Sequence, residues 1–300
     1  MKTIITISLI FITVISFAQT KAELIDAIKK MNILENDDKG LRIIYDDDNS
    51  TEEKIILPSK TDNYENFKAL AKQISHEELI NLTTDENPVI RMFAIRELFQ
   101  KRDNQYNFKE AFIKELSENT RIRNHEGCEI WQERTFSIMF NDFSYNWNST
   151  SFLKQTQEFN FVDSILTQID LFCMYTDRYL PEHFYETIFS RRKYSLVNNQ
   201  RITELLYLQT NFYAFKYLKL KYPDEFKLIE TNFINNKLLK ENFDIEKYPN
   251  SFYEFLKYAK QNSNQQLLDY LLTQYKSLKN IDNYKWIMNK YETWNKTGFD

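Results

Sequence analysis

Residues Ser75 to Leu98 read SHEELINLTTDENPVIRMFAIREL, and the reading of this stretch decides the fold. Ser75-x-x-Glu78 is a capping box, in which the hydroxyl and the carboxylate satisfy N–H groups that a first helical turn leaves without partners. It stands directly before Leu79, Ile80 and Leu82. Asn87-Pro88 then supplies a cap and a proline at the first helical position, where the missing N–H costs nothing. Ile90, Phe93, Ala94 and Leu98 follow at the 3.6-residue spacing of a buried helix face. Two helices joined by a short turn are expected here.

Working outward, the same signals recur. Asn107-x-x-Glu110 opens Phe108, Ala111, Phe112 and Leu116, while Pro223 and Ser251-x-x-Glu254, the latter after Pro249, mark further starts. Near the end of the chain the face Phe252, Phe255, Leu256, Ala259 recurs sixteen positions later as Leu268, Leu271, Leu272, Tyr275. It recurs again as Tyr284, Ile287, Met288, Tyr291. Helices this short do not stand alone in water, so they must stack to bury their stripes. The brief connections predict antiparallel neighbours. Upstream, Leu24, Ile25, Ile28, Met31, Ile33 and Leu34 form another amphipathic run. Residues 35–62 break the pattern: Leu41 to Tyr45 and Lys54 to Leu57 flank Asp46-Asp47-Asp48-Asn49-Ser50, as a small hairpin or a loop would.

Composition points the same way. Glycine occurs 3 times and proline 5 times in 300 residues, far below typical usage of about 7% and 5%. Tight hairpin turns draw on Gly, Asn and Asp, so a β-rich fold with almost no glycine is disfavoured. Twenty-four Phe and 19 Tyr supply a core of large side chains. The net charge of −4 argues against nucleic acid, which calls for a surplus of Lys and Arg on one face. The short basic clusters Lys101-Arg102, Arg121/Arg123 and Arg191-Arg192-Lys193 are expected to be solvated helix ends.

Met1-Lys2, the apolar run Ile4 to Phe17, and Ser16-Phe17-Ala18 before Gln19 have the layout of a cleaved secretory signal. No later segment approaches 18 continuous apolar residues, so no membrane span is expected after cleavage. Export permits a Cys128–Cys173 disulfide. Yet Cys173 sits on the apolar stripe Val162, Ile165, Leu166, Ile169, Phe172, where a free thiol behaves as a small hydrophobe, and unpaired cysteines are favoured.

The segment 76–117 resembles a HEAT repeat, with Asp85, Pro88, Ile90, Arg91 and Ala94 on the motif positions. The resemblance implies an α-solenoid of antiparallel helix pairs. It also implies structural roles: the Asp and Arg link neighbouring repeats, and the Ala lets helices approach closely. The wider chain resembles exported bacterial HEAT-like proteins of unknown function. Residues 124–140 occupy the place of the next repeat but lack the Asp…Arg pair.

Chemical signatures are sparse. On a helix His125, Glu129 and Glu133 would share one face and could hold zinc, although Gly127 interrupts the run and a solvated polar face accounts for it. A calcium loop starting at Asp46 would need Gly at its sixth position and Glu at its twelfth, where Thr51 and Leu57 stand. No nucleophile elbow, dinucleotide fingerprint or P-loop is present. No catalytic, cofactor or metal residue is assigned. Tyr145-Asn146-Trp147 in an expected loop, with Trp286, Tyr291 and Trp294, could stack on sugars or anchor a partner, but such residues also build cores.

The expectation is thus an all-α protein. Residues 1–18 form a signal peptide, 19–62 an N-terminal helix and irregular segment, and 63–300 a HEAT-like helical repeat domain. It would act in the periplasm or outside the cell as a protein-interaction scaffold, with a protein partner, no cofactor and no nucleic acid. The alternative is a carbohydrate-active helical-array enzyme or a glycan-binding protein.

Overall fold

The computed structural model describes residues 19–35, 43–44, 62–126, 129–151 and 156–298. The expected signal peptide, the acidic loop Asp46 to Ser50, and Cys128 lie outside them. The fold is mostly helical and divides into two compact units, residues 1–169 and 170–300.

In the first unit, α1 (Lys21–Met31) opens on a capping box formed by Thr20 and Glu23. Asn32 ends it in the left-handed conformation, so Ile33 and Leu34 do not continue the helix but enter strand β1 (Ile33–Glu35). After β2 (Ile43–Ile44) come α2 (Asp62–Ala71), α3 (His76–Leu82), α4 (Pro88–Gln100) and α5 (Phe108–Glu118). The Ser75 capping box and the Asn87 cap form as the sequence indicates, and Asn107 Oδ1 accepts the Glu110 N–H at 3.2 Å. Helix α4 is buried nearly all round, Val89 to Ile95 included. Phe93 stacks on Phe67 of α2 at 5.0 Å between ring centres, a contact adding about 0.5–1.5 kcal/mol to the area buried.

Residues 121–134 correct the helical expectation. They form a hairpin, β3 (Arg121–Glu126) and β4 (Glu129–Arg134), at the centre of a four-stranded sheet of order β1-β3-β4-β2. β1 pairs with β3 and β2 with β4, both parallel, so the two N-terminal strands do not pair with each other. The physical reason lies in the pairing: β3 carries one aliphatic residue, Ile122, and its backbone is satisfied by β1, far upstream, and by β4. Glu35 of β1 is buried and accepts the N–H groups of Asn63 (3.1 Å) and Tyr64 (3.2 Å), which anchors the start of α2 on the sheet. Helix α6 (Thr135–Thr150) follows, then α7 (Gln157–Tyr175), within which the first unit ends. Tyr145-Asn146-Trp147 therefore lies on a helix, not in a loop.

The second unit holds α8 (Glu182–Arg191), α9 (Leu196–Gln209), α10 (Phe212–Lys221), α11 (Pro223–Phe233), α12 (Pro249–Gln261), α13 (Gln265–Lys276) and α14 (Lys285–Thr297). Helix α10 packs against α8, α9, α11 and α12, and α12 packs against α13 and α14. Phe212, Phe215, Phe233 and Phe255 interlock at the centre, with Phe215–Phe255 at 5.4 Å. The sixteen-residue rhythm falls on α12, α13 and α14 except at Tyr284, which lies in the turn before α14; Phe252, Phe255, Leu271 and Ile287 are fully buried, while Leu272, Tyr284 and Met288 are half-buried. The expected Ser251 capping box does not form: α12 starts two residues earlier, and Tyr248 provides no side-chain cap. Instead Glu182 accepts the N–H groups of Asn250 and Ser251, each at 2.9 Å, and Ser251 Oγ accepts from the Phe212 N–H at 3.1 Å.

Candidate functional site

Helix α4 ends in a Schellman turn. The Arg102 N–H donates to Phe99 O at 3.0 Å and the Asp103 N–H to Leu98 O at 3.1 Å, with Arg102 at φ +54°, where glycine is the usual occupant. Asp103 then ties the loop down. Its Oδ1 accepts the N–H groups of Gln105 (2.8 Å) and Tyr106 (3.2 Å), and its Oδ2 lies 3.2 Å from His76 Nε2. The loop leading into α5 is therefore held at both ends and in the middle, while Asn104 and Gln105 stay exposed at its tip.

Facing this loop is one side of α7. Gln157, Asn160, Ser164 and Gln168 recur at helical spacing and are all exposed, with Phe161 and Ile165 beside them on the inner edge. Loop and helix enclose an open cleft of about 890 Å³. Its floor is aromatic: Tyr106 meets buried Phe108 edge-on at 4.9 Å, and Phe108 meets Phe161 edge-on at 5.8 Å. Burial pushes the Tyr106 phenol above its ordinary range, partly offset by a hydrogen bond with Thr83. At the rim Arg102 pairs with Glu158 at 3.0 Å. The lining holds no histidine or cysteine; its charged residues are Arg102, Lys109 and one carboxylate, Asp103, which the loop already uses.

Uncharged amides each offer a donor and an acceptor, and the rings beneath them offer apolar surface. Such a wall can hold a ligand through hydrogen bonds and apolar contact. Other concavities among the described residues include a groove of about 510 Å³ along α9 and smaller recesses of about 150 and 110 Å³.

The residues singled out from the sequence lie elsewhere. Asp85 Oδ1 accepts the Asn87 N–H at 2.8 Å and lies 3.4 Å from Lys29 Nζ. Pro88 sits in the first turn of α4, and Ile90 and Ala94 are fully buried. Arg91, 4% exposed, donates to both carboxylate oxygens of Glu115 (2.8 and 3.2 Å), to Glu118 (2.6 Å) and to the carbonyls of Asp85 and Glu86. It thus bonds the α3–α4 turn to the following helix.

His125, Glu129 and Glu133 do not share a helix face. His125 is buried on β3, opposite Ile130, and Glu133 on β4 accepts from Trp131 Nε1 at 3.0 Å. Among the described residues no three His, Cys, Asp or Glu side chains are gathered as a metal site would require. Trp147 donates to Asp163 at 2.8 Å, Tyr291 is buried, Trp294 lies 5.9 Å from it, and Trp286 is 39% exposed.

Arg191 corrects the reading of the third basic cluster as a solvated end. It is buried, with its Nη1 3.1 Å from the fully buried Asp170. The Tyr194 hydroxyl lies within donating distance of two acceptors, Asp170 Oδ2 (3.3 Å) and Ile188 O (3.0 Å). Cys173 is a free buried thiol, its pKa pushed well up by burial and by Asp170.

The cleft was legible only as a faint signal, the uncharged stripe Gln157, Asn160, Ser164, Gln168 opposite the apolar face of α7. Compared with protein-family models, curated proteins and solved structures, the chain finds no match.

Proposed function

We propose that this chain is an exported HEAT-like helical-repeat protein that serves as an interaction scaffold, holding a protein partner without transforming it. The observation that carries the reading is the cleft between the Lys101–Asn107 loop and α7. It is wide, its floor is aromatic, its walls carry carboxamides and the Ser164 hydroxyl with Arg102 and Lys109 beside them, and its one carboxylate is engaged in the loop. The solenoid of antiparallel helix pairs is part of the same proposal. It is supported by the α3–α4 pair with its Asp85 and Arg91 contacts, and by the repeated buried face on α12, α13 and α14. Export to the periplasm or beyond is supported by the sequence Met1 to Ala18, and N-terminal sequencing that finds Met1 retained would remove it.

The partner is tested by placing a photo-crosslinking residue at position 164 in the full chain and irradiating the exported fraction. A discrete crosslinked protein that disappears when the residue is moved to the far side of α7 supports the scaffold reading. Crosslinks indifferent to position would count against it. Glycan binding is the second reading, favoured by the partly exposed rings of Tyr106 and Phe161. Hydrolysis of a glycan would call for two facing carboxylates, and the cleft offers only Asp103.

A further inference from the structure

Helix α9 is apolar on two sides. Ile202, Leu205 and Leu206 are fully buried and hold it in the second unit. The opposite side carries Leu196, Val197, Gln200, Glu204, Tyr207 and Leu208. At 3.6 residues per turn these six fall within about a third of the helix circumference. Leu196, Val197 and Leu208 are 79%, 74% and 71% exposed, and they make up three of the five exposed large aliphatic side chains among the described residues. A single exposed leucine is ordinary, but three on one face of one helix mark a surface built to be covered. The shallow groove lined by Gln200, Thr203, Glu204, Tyr207 and Leu208 runs along the same face.

We infer that this face pairs with the same face of a second copy of the chain, the two α9 helices running antiparallel about a two-fold axis level with Ile202. The order of the six residues selects that partner. A two-fold contact joins a patch to itself, so the patch must be complementary to its own reversed image, and each contact then occurs twice. About the level of Ile202 this condition is met. Gln200 stands against Glu204 of the second copy, so a carboxamide donor meets a carboxylate acceptor at the centre. On one flank Val197 meets Leu208 of the second copy, and on the other Leu196 meets Tyr207.

Other arrangements fail the same condition. Parallel helices would set Glu204 beside Glu204. A slip of one turn either does the same or lays Glu204 against Leu196, where a charge faces an apolar group. Glu204 Oε2 already accepts from Arg201 Nη1 of its own helix at 3.1 Å. That leaves Oε1 for the second copy, and the guanidinium offsets the repulsion between the two carboxylates across the axis. From Leu196 to Leu208 the face runs about 18 Å at 1.5 Å per residue. A contact of one such helix from each copy falls short of the ~1,200 Å² of a stable interface, so the pairing is concentration-dependent, with a dissociation constant on the order of 100 μM. No residue of the cleft lies on α9, so the inference is independent of what the cleft holds.

The test is sedimentation velocity of the full chain over a concentration series, beside Gln200→Lys, Gln200→Glu and Val197→Ser/Leu208→Ser. All three positions are exposed, and matching circular-dichroism spectra and melting temperatures confirm that the variants are folded. The two Gln200 variants should move in opposite directions. Lysine faces Glu204 of the second copy and should tighten the dimer by about fivefold, while glutamate should weaken it by a similar factor, the symmetry doubling each contact. Both effects should shrink as salt is added. The double serine variant should weaken the dimer by about tenfold or more.

A concentration-dependent dimer that responds in this way supports the inference. A chain that stays monomeric to about 1 mM overturns it, as does a dimer in which the Gln200 variants move together or not at all. A parallel arm floats the chain with phosphatidylcholine vesicles. A monomer that binds them, and loses that binding in the double serine variant, would assign the face to a membrane surface and overturn the pairing.

Discussion

Replacing Arg91 by methionine should destabilise the first unit severely. Methionine matches the aliphatic stem and keeps helix propensity, so the charge and its hydrogen bonds are what is removed. Those bonds are five: two to Glu115, one to Glu118, and one each to the carbonyls of Asp85 and Glu86. Glu115, 1% exposed, is left buried beside an apolar side chain. Removing one partner of a buried ion pair costs about 3–5 kcal/mol, because the survivor keeps its desolvation penalty.

For a unit of this size each kcal/mol moves the melting temperature by roughly 2–4 °C, so a fall of about 6–20 °C is expected. Thermal melts followed by far-UV circular dichroism measure the shift, and urea titrations give the loss in free energy. Arg91→Met/Glu115→Met should recover much of the loss, since a pair replaced by packed apolar groups is often neutral. A single variant within about 1 kcal/mol of the parent, or a double variant no better than the single, would refute the buried pairing.

Further outcomes test the second unit. Burial raises the Glu182 pKa, with partial relief from the bonds of Ser251 and Asn250. Its contribution to stability is therefore full below the ordinary carboxylate range and is lost as pH rises through the raised folded value. Across about pH 4 to 7 the parent should lose stability relative to Glu182→Gln, and melting curves running parallel would contradict this. Cys173 should resist iodoacetamide in the folded chain and react once denatured, as peptide mass mapping would show; fast native alkylation would mean the thiol is reachable. Phe255→Ala should cost about 3–5 kcal/mol, whereas Leu228→Ala, at a residue 69% exposed, should stay within ~0.5 kcal/mol. Equal effects in the denaturation midpoints would undo the assignment of the buried face.

Local signals were read correctly where the physics is local. The Ser75 box, the Asn87-Pro88 start and the Asn107 cap each involve residues two or three apart, and each forms. The Ser251 box had the same spelling and failed, because Glu182, far upstream, satisfies that helix start instead. The hairpin at 121–134 escaped notice for a related reason. Its strands are polar, and half of their pairing comes from β1 and β2. The basic run Arg191-Arg192-Lys193 looked solvated because its counter-ion, Asp170, lies on another helix.

By itself, then, the sequence determined a mostly helical chain, the starts of several helices and the buried faces of α4, α12, α13 and α14. Stripe and cap act over one or two turns, and composition alone disfavours a sheet-rich fold. Only the tertiary structure decided the sheet, the bracing of Arg91 by Glu115, the burial of Arg191, and the cleft. Each joins residues far apart along the chain, where the free energy depends on which surfaces are brought together. The cleft shows this most plainly: the Asn104-Gln105 tip and the Gln157–Gln168 stripe are ordinary exposed residues until the turn after α4 sets one opposite the other.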